Sequence, residues 1–162
     1  MKRIPVICTV GLLILAGCTQ KSKEDQVAVP AIVKESFTKL FATAIDVRWS
    51  KESDSEYEAE FKVGAINKSS NFDQFGKWLV TETEIKNTDL PAPVQTTITN
   101  EFAGYSIAEA EVAEPAGGSM FYEVELEKGE VNFEVQISPD GKVLKKGEMI
   151  EKKEGEEEDE KD

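Results

Sequence analysis

The sequence predicts an α+β fold in which one unit, a helix packed on a four-stranded antiparallel sheet, is built twice in tandem. Three observations carry this expectation: short segments recur at a fixed spacing, apolar and charged residues alternate with a period of two, and each recurring block opens on a proline followed by a helical apolar stripe.

The recurrence is direct. Val29-Pro30-Ala31-Ile32-Val33 returns as Leu90-Pro91-Ala92-Pro93-Val94, and Phe41-Ala42 returns as Phe102-Ala103, both 61 residues on. Tyr57-Glu58-Ala59-Glu60-Phe61 returns as Tyr122-Glu123-Val124-Glu125-Leu126, now 65 residues on. At that larger spacing Gly64, Asn67, Gly76-Lys77, Leu79 and Ile85 meet Gly129, Asn132, Gly141-Lys142, Leu144 and Ile150. The change of spacing places an insertion before Tyr122, most simply in the loop Glu114 to Gly118. The two repeats are expected at 29–86 and 90–150.

Within each repeat a proline opens the helix, where its missing N–H is harmless. Val33, Phe37, Leu40, Phe41 and Ala44 follow helical spacing in the first copy, and Val94, Ile98 and Phe102 in the second, with threonine-rich filling. Strands follow. Tyr122, Val124 and Leu126 alternate with Glu123, Glu125 and Glu127; Val131, Phe133, Val135 and Ile137 alternate with Asn132, Glu134, Gln136 and Ser138. Such alternation describes a sheet with one buried and one wet face. Lys128-Gly129-Glu130 and Pro139-Asp140-Gly141-Lys142 supply hairpin turns. Tyr57, Phe61, Tyr122, Phe133 and Trp49 share parity with apolar neighbours and are expected in the core.

Assigning the matched pair Leu79/Leu144 to the inward parity puts Trp78 and Val80 on the open face, beside Glu58 and Glu60. An exposed tryptophan there is a candidate binding anchor; the competing reading is a residue buried at the joint between repeats. Trp78, Val80, Glu58, Glu60, Glu123 and Glu125 form the candidate binding surface. The strand glutamates are expected to stay solvated, with little to raise a pKa.

The first residues read as an export signal over residues 1–17. Lys2 and Arg3 supply a basic start, and Ile4 to Ala16 is almost wholly apolar but too short to span a bilayer. Leu15-Ala16-Gly17-Cys18 resembles the bacterial lipobox, which implies cleavage before an acylated Cys18 and a membrane contact through that lipid. Residues 18–28 then hold the lipidated cysteine and a flexible tether, and the Glu- and Lys-rich residues 151–162 read as a disordered acidic tail. Cleavage removes Cys8 and leaves 145 of 162 residues, and takes the formal charge from −13 to −15. The expected location is the cell envelope, lipid-anchored at the outer membrane on its periplasmic face or at the cell surface.

Several functions are disfavoured by composition. The acidic charge repels phosphate backbones, so no nucleic-acid partner is expected. The chain has no histidine and, once processed, no free thiol, which removes the usual general base, cysteine nucleophiles and Cys/His zinc sites. No Gly-rich phosphate loop is present. No catalytic residue, metal or cofactor is therefore assigned, and the chain is not expected to be an enzyme.

The proline-led helix start, the strand Val47-Arg48-Trp49, the Tyr-Glu-x-Glu-apolar segments, and the Phe72-to-Lys77 and Ile137-to-Lys142 spacings resemble, in this tandem order, the PepSY-like lipoproteins of Bacteroidetes, whose fold is similar to that of the β-lactamase inhibitory protein. The second copy departs at Ala108 to Ala110, where the first has Val47 to Trp49. The resemblance implies a repeated helix-plus-sheet fold and a periplasmic or surface location, with no settled activity; protease or β-lactamase inhibition is a fold-level analogy. The resulting expectation is a tethered, non-catalytic binding module for a protein, peptide or envelope component. Its alternative is a structural accessory subunit of an envelope complex, and a carboxylate-based hydrolase stands third.

Overall fold

The structure is a computed structural model and describes residues 27–151. The expected signal, Cys18, nearly all of the tether and the acidic tail after Glu151 lie outside the described residues. The fold is α+β, with two helices and antiparallel strands. The chain divides into two compact units between Val80 and Thr81.

The first unit contains α1 (Ala31–Leu40), β1 (Ile45–Ser53), β2 (Glu56–Val63), β3 (Ile66–Asp73) and the start of β4 (Trp78–Glu84). Pro30 caps α1 with φ −56°, the value its ring imposes. The helix buries Val33 and Phe37. Leu40, expected on the same stripe, is 54 % exposed. The helix ends there, and the chain turns at Phe41, whose N–H donates to Phe37 O at 2.8 Å. Phe41, expected on the same stripe, packs against the core with its ring centroid 4.6 Å from that of Phe61. Phe37 is the hub: its ring lies 5.0 Å from Phe61 and 5.3 Å from Trp49, edge-on to both. Ala59 and Phe72 complete the buried cluster, with Tyr57 and Trp49 packed against it as expected. The strands form a meander, with Trp49 opposite Ala59, and Tyr57 opposite Phe72. The outer strand β1 is irregular. Its register shifts twice, between Ile45 and Arg48 and between Lys51 and Ser53, and Asp46 adopts φ +56°.

The second unit begins within β4, at Thr81, and continues through a single 3-10 turn (Asn87–Asp89), α2 (Ala92–Glu101), β5 (Ser106–Pro115), β6 (Phe121–Lys128), β7 (Val131–Ile137), β8 (Val143–Lys146) and β9 (Ile150–Glu151). The threonine-rich α2 satisfies its hydroxyls on its own turns: Thr96 and Thr99 donate to Ala92 O and Gln95 O at 2.8 and 2.9 Å. Its stripe, Val94, Ile98 and Phe102, packs on Val124, Leu126, Phe133, Val135 and Ile137. The expected fourth strand is split. Gly147 donates its N–H to Glu134 O at 2.8 Å, β8 stops before it, and Ile150, matched in sequence to the packed Ile85, lies 57 % exposed in β9. Both β8 and β9 pair with β7.

The turn before β4 fixes which side chains face inward, and it corrects the expected parity. Asp73 donates its N–H to Lys77 O at 3.0 Å, while its Oδ1 accepts the N–H groups of Phe75 and Lys77, both at 2.9 Å. With Asp73 and Lys77 paired, Trp78 falls on the face of Phe72 and packs against the helix-side cluster. The corresponding turn of the second unit pairs Ile137 with Val143, which packs inward while Leu144 stays 51 % exposed. Turn length sets register, and a one-residue change of register exchanges the faces. The inward residues are thus Trp78 and Val143, not Leu79 and Leu144.

These turns are held against the helices. A Cβ on Gly76 (φ +80°) would stand 2.8 Å from both Ile32 O and Ser36 Oγ. On Gly141 (φ +88°) it would stand 2.8 Å from Pro93 O and 3.0 Å from Thr97 Oγ1. Only glycine meets both demands, a left-handed φ and contact with a helix backbone.

Candidate functional site

Each helix packs on one face of its own unit's sheet, and the alternate side chains of the strands line the other face. In the first unit that open face carries Glu56, Glu58 and Glu60 from β2. Glu58 stands between Ser50 of β1 and Asn71 of β3. Ser50 Oγ donates to Glu58 Oε2 at 3.2 Å, and Asn71 Nδ2 donates to Glu56 Oε1 at 3.1 Å. Glu60 is exposed. In the second unit β6 carries Glu123 and Glu125. Glu123 stands between Glu111 of β5 and Gln136 of β7; Glu125 stands between Glu109 and Glu134. Gln136 Nε2 donates to Glu123 Oε2 at 2.8 Å, and Asn132 Nδ2 donates to Glu125 Oε1 at 2.7 Å.

The expectation of solvated strand carboxylates fails for Glu58 and Glu123, each only 4 % exposed. Opposed side chains on adjacent strands sit close enough to enclose one another, even where no helix covers the face. Burial, followed by the charges of Glu52 and Glu60, raises Glu58 to about 7, against hydrogen bonds from Ser50 and Ser69 that lower it. Burial also raises Glu123, against hydrogen bonds from Gln136 and Glu134 and the charge of Lys145. Glu111 is pushed up to about 9 and Glu134 to about 8, each by burial first and then by neighbouring carboxylates.

The structure therefore keeps part of the candidate surface and removes part. Glu58 and Glu60 share the open face of the first unit, and Glu123 and Glu125 that of the second. Trp78 is not among the acidic side chains: it is half-buried on the helix side. Val80 is 4 % exposed, and its carbonyl accepts the Ser70 hydroxyl at 2.9 Å. Sequence reasoning missed Glu82, Glu111 and Glu134. The alternation Ala108-Glu109-Ala110-Glu111 was the available signal for β5, but which strands lie side by side is not written in any local pattern. Among the described residues no group of three or more His, Cys, Asp or Glu side chains is arranged to hold a metal ion, and no helix is long and apolar enough to cross a membrane.

Comparison with known proteins follows the fold. The family described as "Putative beta-lactamase-inhibitor-like, PepSY-like" matches residues 54–145. A search of curated proteins finds no match. Among solved structures, the chain is similar to a protein of Bacteroides eggerthii described as periplasmic, with a TM-score of 0.66 and 19% identity over 73% of this chain and 87% of that one. A DUF2874 family protein of Bacteroides uniformis gives 0.65 and 21%, covering 72% and 87%. A protein of Bacteroides fragilis described as BLIP-like gives 0.61 and 21%, covering 77% and 89%. At these identities the likeness shows the fold alone.

Proposed function

The chain belongs to the PepSY-like, β-lactamase-inhibitor-like family, and from that premise we propose that it is an exported, non-catalytic binding module of the cell envelope. The observation that supports this best is the pair of open sheet faces. Each is backed by a packed helix on its reverse and presents a row of polar and acidic side chains tied to one another by hydrogen bonds across the strands. Glu60 and Glu125 are the accessible members of those rows, and they suit a partner that offers positive or hydrogen-bond-donating groups, as a protein or peptide does. We assign the two units to one repeated α-β4 module. Gly76 against Ile32 and Ser36, and Gly141 against Pro93 and Thr97, are the same contact made at matched positions of the sequence repeat. The location belongs to the same proposal: an envelope protein held by a lipid on Cys18, facing the periplasm or the outside.

The test is capture from detergent-solubilised envelope with the full chain and with the double variant Glu60→Lys/Glu125→Lys. Glu60 is exposed and its substitution should cost within about 0.5 kcal/mol, whereas Glu125 accepts the buried Asn132 amide and its substitution should cost about 1–3 kcal/mol, so thermal melts accompany the capture and the single variant Glu60→Lys is run beside the double one. Loss of the captured protein by the variant is the expected result. Capture of the same protein at the same yield by both would remove the open faces from the proposal.

A further inference from the structure

The open face of the second unit brings several carboxyls side by side. Glu123 stands directly opposite Glu111, and Glu125 directly opposite both Glu109 and Glu134. Opposed side chains in an antiparallel pair have Cβ atoms about 4.5–5.5 Å apart. Glu82 of β4 joins them electrostatically and is 1 % exposed. Against these stands Lys145 of β8, opposite Gln136, whose charge reaches Glu123.

The oxygens themselves give a second observation. Gln136 occupies Glu123 Oε2, while Glu123 Oε1 is enclosed and meets no fixed donor; the Glu134 carboxyl beside Glu123 can hydrogen-bond to it only when protonated. The residue is 4 % exposed, and the carboxyls of Glu111 and Glu134 stand beside it along with Gln136 and Lys145. A buried carboxylate oxygen without a donor is costly, and a carboxyl neighbour can satisfy it only by carrying a proton and donating it.

We propose that Glu82, Glu111, Glu123 and Glu134 form a proton-binding cluster, a pH-sensitive device that holds the open face of the second unit together while protonated and loosens it, with a gain of negative charge, when the protons leave. The direction of each shift agrees, since Glu111 and Glu134 are raised from 4.5 to about 9 and about 8. The sign follows from proton counting. Between the unfolded value of 4.5 and those raised values the folded chain holds more protons than the unfolded chain, so stability falls as pH rises through that window. Each extra proton held makes the folding equilibrium constant fall about tenfold per pH unit. The cluster does not depend on the binding reading: a partner could exist without it, and it without a partner.

The experiment is proton uptake and thermal stability of the full chain across that window, with Glu111→Gln and with the same substitution at the exposed Glu130, Glu130→Gln, as control. The parent is expected to bind at least one more proton folded than unfolded at neutral pH, and its melting temperature to fall toward alkaline pH. Glu111→Gln should flatten that fall and melt higher than the parent at the alkaline end, while Glu130→Gln keeps the parental slope. Equal proton binding by folded and unfolded chains, or identical slopes for the two variants, would overturn the proposal. Should Glu111→Gln fail to fold, the infrared band of protonated carboxyl in the parent at neutral pH decides, and its absence overturns the proposal equally.

Discussion

Trp78 shows how a single residue's role turns on the parity of its strand. Half-buried against the cluster of Val33, Phe37, Ala59, Phe61 and Phe72, it is a packing residue of the first unit. Trp78→Ala should therefore cost about 2–4 kcal/mol of stability, somewhat below the usual figure for a fully buried aromatic because the ring is half-exposed. Denaturant unfolding measures this, and an unchanged midpoint would contradict the packing. The sequence could nominate Trp78 but not orient it. Its two neighbours, Lys77 and Leu79, are equally compatible with either face, and the deciding hydrogen bond runs from Asp73 N–H to Lys77 O. Glu58 and Glu123 were legible as members of a sheet face for the converse reason: their alternation with Tyr57, Ala59, Tyr122 and Val124 is local. Their burial was not legible, because it depends on Ser50, Asn71, Glu111 and Gln136, which reach them only through strand pairing.

At the scale of the element, helices and hairpins followed the sequence wherever a short-range rule governed them. Pro30 and Pro91 stand at the N-caps, and Gly64 and Gly129 turn at φ +64° and +61°. The turn glycines separate into two kinds. Gly129 has nothing within 4 Å of a would-be Cβ, whereas Gly141 faces the Pro93 carbonyl at 2.8 Å. Gly129→Ala should then cost about 1 kcal/mol, for the left-handed φ alone. Gly141→Ala should cost about 2–4 kcal/mol, because α2 must also move away from the turn. Thermal melts of the two variants check the difference, and equal losses would mean that the turn is not seated on the helix. The element that the sequence misjudged is the last strand. A continuous apolar-polar pattern was expected to run on to Ile150, but Gly147 leaves the ladder to meet Glu134 O, and the strand breaks into β8 and β9.

At the scale of the whole molecule, the proposal of a tethered module makes Cys18 decisive. Cys18→Ala should release the protein from the membrane fraction as a soluble or misprocessed form, seen by fractionation and mass measurement of the mature N-terminus; unchanged membrane association would contradict the anchor. The helix-then-strands order was legible from proline starts and period-two alternation, which are local patterns. Asp54 and Ser55 connect β1 to β2, whereas the longer segment Ala116 to Met120 connects β5 to β6.

The irregular first strand has one more consequence. An outermost strand exposes a row of unpaired N–H and C=O groups on which another chain can add itself, the step by which sheets grow into fibrils. In β1 that row is spoiled: two register shifts and the left-handed Asp46 leave no long straight run of backbone for a visiting strand to match. In the second unit the outermost strand β8 is only 4 residues long and ends on Lys145 and Lys146. Proteins in a crowded compartment meet one another constantly, and margins shaped this way let them collide without polymerising.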